Sequence, residues 1–186
     1  MRNILRGHNP ATLFLALTVL FALIYSLNNA LTSFLLLVPG AHLVHIPSGF
    51  KLLLVLVCGW SAALAIGVVS FAAGALFFFK DQHLLALQLA LANAFAPWLT
   101  RRFFIDHLAL DESLSNLNSR RLLSMGLLFA LLNSCMNQLL IHYNGASTSL
   151  MDGLLVMFIG DVTGILLVMV GFRALVRRFT RLPFHR

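Results

Sequence analysis

LLLVLVCGWSAALAIGVVSFAAGALFFF, residues 52–79, is uncharged from end to end, and how it is divided decides the fold. Taken as one helix at 1.5 Å per residue it would be about 42 Å long, which overshoots a bilayer core of about 30 Å. Gly59-Trp60-Ser61 interrupts it. A single span here gives five spans in all. Arg101, Arg102, Arg120 and Arg121 would then face away from the side that holds Arg2 and Arg6, against the tendency of Lys and Arg to stay cytoplasmic. Division at Gly59 removes the conflict. Eleven basic residues then fall inside, and Lys51 and Lys80 outside.

The reading that follows is an all-α, polytopic integral membrane protein of about six membrane segments, with both termini inside. The segments are 12–38, 48–58, 61–79, 83–100, 122–143 and 150–172, within one transmembrane domain spanning 1–186. Segment 48–58 is too short to cross unaided and is expected to be short or re-entrant, with protein shielding its ends. Pro39-Gly40 closes the first segment, since proline cannot continue a helical ladder and glycine permits a turn.

Composition supports this class. The chain is 60% hydrophobic and 10% charged, with mean hydropathy +0.91. A soluble domain carries about 45–50% apolar and ~25% charged residues. The net charge of +7 is gathered at segment ends, so it reads as a topology signal rather than a nucleic-acid surface. The apolar run that begins at Ala11 is too long for a cleaved signal peptide. Cys58 and Cys135 sit alone in apolar runs and read as packing residues.

The loop 101–121 (RRFFIDHLALDESLSNLNSRR) is the one sizeable polar segment. Asp111 is a candidate helix N-cap, with Leu108, Leu110, Leu114 and Leu117 as an apolar stripe on the membrane surface. This loop and the basic tail ending in Arg181 and Arg186 are the expected contacts for a partner.

Asp161 is the residue most charged with meaning. It lies mid-segment in FIGDVTG, where a carboxylate costs at least ~2.5 kcal/mol unless paired or hydrated. Gly160 and Gly164 form a G-x-x-x-G step that admits another helix close to it. Asn133 and Asn137 share a face at i,i+4. With Asp161, Thr163 and Asn93 they make the candidate intramembrane polar core or ligand site, joined by Ser26, Asn28, Asn29 and Thr32 of the first segment. His42, His45, His83 and His142 all fall at the outer face, and His42-x-x-His45 has a metal-ligand spacing. No second tight pair supports it, so no metal site and no cofactor are assigned. No G-x-S-x-G, H-E-x-x-H or Gly-rich phosphate loop is present, and no enzyme is expected.

Three stretches resemble a known family in their order along the chain. Pro47-Ser48-Gly49-Phe50 opens a short helix that leads through Gly59-Trp60 into a small-residue helix. NAFAPWLTRR (93–102) follows. Gly160-Asp161-Val162-Thr163-Gly164-Ile165-Leu166-Leu167 is similar to a late Gly-Asp-x-x-Gly-hydrophobic signature. Together they resemble the first class of membrane-associated sensor domains (MASE-type) of bacterial histidine kinases and diguanylate cyclases. The resemblance implies a multi-helix sensor in the bacterial inner membrane. The family usually has eight helices and an output domain; here six segments and no kinase or cyclase domain are expected. The implied role is therefore a non-enzymatic sensory or regulatory subunit or adaptor, acting through a membrane or cytoplasmic protein, or through a second copy, within membrane lipid.

Two alternatives stay open. In size and topology the chain also resembles the substrate-binding components of vitamin transporters, which implies a ligand pocket at Asn93, Asn133, Asn137 and Asp161. A structural subunit of a larger complex would instead expose a small-residue face at Gly67, Ser70 and Gly74.

Overall fold

The computed structural model describes residues 9–32, 36–38, 41–146 and 149–180. The basic N-terminal residues Arg2 and Arg6, the Pro39-Gly40 break and the tail residues Arg181 and Arg186 lie outside the described residues.

Six helices carry the architecture: α1 Pro10–Thr32, α2 Ile46–Cys58, α3 Trp60–Ala73, α4 His83–His107, α5 Ser119–Tyr143 and α6 Leu150–Thr180. A π-helical turn, Gly74–Phe78, continues α3. A short antiparallel ladder pairs Leu36–Val38 with Ala41–His42 ahead of α2. The expected helix over 12–38 is thus corrected at its end: 36–38 is extended, and Thr32 is the last described helical residue. Among the described residues, four helices are long and apolar enough to cross a membrane: Pro10–Thr32, Trp60–Phe78, Ser119–Tyr143 and Leu150–Ala174. Rows of exposed leucines on α1, among them Leu23, Leu27 and Leu31, suit a lipid solvent. The protein is a helical membrane protein.

The uncharged stretch 52–79 is two helices. Gly59 takes φ +61° and ψ −131°, a conformation that a side chain resists, and its N–H bonds the Val55 carbonyl at 2.9 Å. The helix breaks there, and Trp60 packs against Trp98 and Phe95 of α4 with ring centroids 5.4 and 5.7 Å apart. The kink is thereby tied to a neighbour.

α2 is the hub. It has 13 residues, about 20 Å of helix, and touches all five other helices. A helix this short at membrane depth needs protein around its ends, and it has it. The Ile46 N–H, one of the orphan donors at the α2 N-terminus, is taken by Asn28 Oδ1 of α1 at 3.0 Å. Asn28 in turn donates to Thr32 Oγ1 at 3.1 Å.

Three expectations are corrected by packing. The loop 101–121 forms no helix after Asp111: α4 runs on to His107, irregular chain follows, and α5 starts at Ser119 with Asn118 as its cap, accepting from the Arg121 N–H at 2.9 Å. Leu110 is no membrane-surface residue either. It is buried with Phe104, Met125 and Phe129, and Leu114 and Leu117 pack on that cluster; Leu108 alone of the four is exposed. The small-residue face of α3 is not exposed. Ser70 and Gly74 are buried and Gly67 is half-buried, with Ala94 beside Gly67 and Ala86 beside Gly74, so α4 covers that face within the chain.

Candidate functional site

The polar residues scattered along the sequence meet in one layer between apolar ones. On α4, Leu89 lies in one apolar cluster and Ala96 in another, with Asn93 between them. On α5, Ile141 and Phe129 do the same around Asn133 and Asn137. α6 brings Asp161, and α2 brings His45, Ser48 and Lys51, spaced three apart at its first turns.

Asp161 is 0% exposed and fully engaged. Its Oδ2 accepts from Asn133 Nδ2 at 2.6 Å. Its Oδ1 accepts from the Ser48 hydroxyl and lies 3.1 Å from His45 Nδ1. Ser48 has one hydroxyl hydrogen, which goes to the carboxylate. The 2.9 Å contact between Ser48 Oγ and His45 Nδ1 is then donated by the ring, so His45 carries a hydrogen on Nδ1. The Tyr25 ring of α1 meets the His45 ring edge-on at 6.3 Å.

From Asp161 the network runs to a cation. Asn137 Nδ2 donates to Asn133 Oδ1 at 3.2 Å, Asn93 Nδ2 donates to Asn137 Oδ1 at 3.3 Å, and the Lys51 ammonium donates to Asn93 Oδ1. Every bond points the same way, from ammonium to carboxylate. Two amides are also pinned by main-chain carbonyls four residues back: Asn137 Nδ2 to Asn133 O at 2.8 Å and Asn93 Nδ2 to Leu89 O at 2.9 Å. A flip of either would lose three bonds, the two that its nitrogen donates and the one that its oxygen accepts. The arrangement is a buried ion pair whose ends are joined through three asparagines rather than by contact.

Lys51 is the residue that sequence reasoning misplaced. Counted there as an outer-face charge, it is 2% exposed inside the bundle. The signal was present: His45, Ser48 and Lys51 recur every third position in an otherwise apolar helix, which puts them on one face.

Gly164 lies close against the start of α2. A Cβ on Gly164 would overlap the His45 carbonyl oxygen, and a Cβ on Gly49 would sit 2.6 Å from Val168 Cβ. The His45 N–H bonds the Gly160 carbonyl at 3.1 Å. Thr163 bonds main chain, with Leu43 O at 2.8 Å and Ile159 O at 2.7 Å, and stands beside the network rather than in it.

His45, His83 and His142 do not gather. His45 is committed to Asp161, while His83 and His142 are exposed, and among the described residues no three His, Cys, Asp or Glu side chains converge. The His42 side chain lies outside the described residues. Of the first-helix polar residues, Asn28 and Thr32 are buried at α2, whereas Ser26 is exposed and Asn29 half-buried.

A cavity of about 50 Å³ adjoins the network, lined by Lys51, Asn93, Asn133 and Asn137 together with Ser70 of α3 and His45. The π-helical turn forms part of its wall through Gly74 and Phe78. Such turns are frequent at functional sites. No known family, curated protein or solved structure matches the chain.

Proposed function

We propose that this protein is a non-enzymatic sensory or regulatory subunit of a bacterial inner membrane, acting through a partner protein as a compact relative of the MASE-type sensor domains. The observation that carries the reading is the one-way hydrogen-bonded chain from Lys51 to Asp161. It joins α2, α4, α5 and α6 through groups that have one satisfied arrangement. Any event that neutralises or rehydrates Asp161 removes the acceptor for three donors and loosens α2 against α6. That is a bistable element of the kind a regulatory membrane domain needs.

In this reading six segments lie in or across the membrane, with both termini inside. α4 carries Gln88 and Asn93 among its apolar residues and crosses with them turned inward. Arg101, Arg102, Arg120 and Arg121 then mark the cytoplasmic side. The partner contacts are 101–121 and the tail.

The test is Asp161→Asn, followed by native mass spectrometry of the tagged protein from gently solubilised membranes. The variant is expected to insert and to lose or alter a stoichiometric protein partner. Wild-type partner content in Asp161→Asn refutes the role of the network in regulation.

The vitamin-carrier alternative draws less support. Ligand pockets for molecules of that size run to about 300–1,000 Å³. The cavity beside the network holds about 50 Å³, which suits a water molecule or a single small ion.

A further inference from the structure

The lining of that cavity is rich in hydrogen-bond donors that the protein leaves unused. The Lys51 ammonium has three hydrogens, and its one hydrogen-bond partner among the described residues is Asn93 Oδ1. The Ser70 hydroxyl is buried with no partner among the described residues. Both line the same space. Each amide oxygen nearby already accepts one hydrogen bond: Asn93 Oδ1 from Lys51, Asn137 Oδ1 from Asn93, and Asn133 Oδ1 from Asn137. An orphaned buried donor costs about 1–3 kcal/mol, so an acceptor is expected in the cavity.

Charge narrows the choice of acceptor. Lys51 and Asp161 sum to zero, and in that state water suffices. His45, which also lines the cavity, adds a positive charge when its second ring nitrogen is protonated. Among the described residues, the groups around His45 include Asp161 from α6, Lys51 and Ser48 from α2, Tyr25 from α1 and, across the cavity, Ser70 from α3 and the asparagines of α4 and α5. Asp161 is the single anion among them. With His45 cationic the set carries +1, and an anion restores neutrality.

We propose that this cavity is a binding site for one small anion of halide size, held by Lys51 and Ser70 and taken up together with a proton on His45. The site stands on this geometry whether or not the chain acts through a partner protein. A volume of about 50 Å³ matches one monatomic anion and is too small for a nucleotide.

The experiment is thermal unfolding of the purified protein in detergent, in sodium chloride, bromide or gluconate at matched ionic strength, at about pH 5.5 and about pH 8. A saturable rise in Tm with chloride and bromide over gluconate is expected, larger at the lower pH. Ser70→Ala should raise the half-saturating halide concentration about tenfold, the equivalent of one hydrogen bond to a charged group. Lys51→Gln should abolish the halide effect. If Lys51→Gln does not fold, Ser70→Ala alone decides. Equal Tm values in all three salts, meaning that the cavity holds water only, overturn the proposal. So does a halide effect that Ser70→Ala leaves unchanged, or one that is no larger at the lower pH.

Discussion

Lys51→Met and Asp161→Asn, made singly and together, test whether the two buried charges form one unit. Asp161→Asn keeps the shape of the side chain. The new amide can turn its oxygen to Asn133 Nδ2 and its nitrogen to Ser48 and His45, provided His45 moves its hydrogen to Nε2. What the change removes is the counter-charge for Lys51, which stays 2% exposed. Breaking a buried ion pair from one side costs about 3–5 kcal/mol. Lys51→Met leaves Asp161 equally uncompensated and strips Asn93 Oδ1 of its donor, so a similar loss is expected. For a chain of this size each kcal/mol shifts Tm by about 2–4 °C, giving a fall of roughly 6–20 °C per single variant. The double variant has no buried charge at either end. It should lose less than either single variant, and far less than the sum of both. Unfolding in detergent, followed by near-ultraviolet circular dichroism or tryptophan fluorescence, measures the cycle. A coupling below ~0.5 kcal/mol would mean that the charges at the two ends of the asparagine chain do not sense each other, and the reasoning would fail.

Other outcomes follow from the same packing. Gly164→Ala should cost about 1–3 kcal/mol or more, because its methyl overlaps the His45 carbonyl, whereas Gly171→Ala on the same helix meets nothing within 4 Å and should be neutral or stabilise by up to ~1 kcal/mol. Comparable Tm losses in the two would contradict the close approach of α2 to α6. Asn28→Leu should cost about 1 kcal/mol by orphaning the Ile46 N–H, with Asn28→Asp retaining most of the stability; a Tm for Asn28→Leu equal to wild type would show that the cap is idle. Single cysteines at Ser115 and Asn144, in a background without Cys58 and Cys135, should react with an impermeant thiol reagent from opposite sides of the membrane. Labelling of both from one side would rule out a crossing by α5.

Much of the fold was legible in the chain because lipid leaves few options. A long uncharged run must be helical there, since no water is present to satisfy its backbone. The segments 83–100 and 122–143 were therefore located within a few residues of one helix end or both, and the division at Gly59 followed from length and charge. Where apolarity no longer discriminates, the sequence misled. Leu36–Val38 is as apolar as the helix before it, yet it is extended. Leu110, Leu114 and Leu117 present the same leucines to a membrane surface or to a core, and only the fold of the loop decides which.

Of the site, the sequence by itself determined the members that no membrane segment tolerates without a reason: Asp161, and the Asn133/Asn137 stripe at one-turn spacing. A buried polar group must find partners, so their convergence was a physical necessity. Their order was not. That Lys51 closes the chain through Asn93, that His45 turns to Asp161 rather than to the other histidines, and that Ser70 is left facing a cavity all depend on α2 lying at the centre of the bundle. A charge near a helix end reads the same in sequence whether it reaches head groups or a buried acceptor. Only the position of α2 among its five neighbours separates the two.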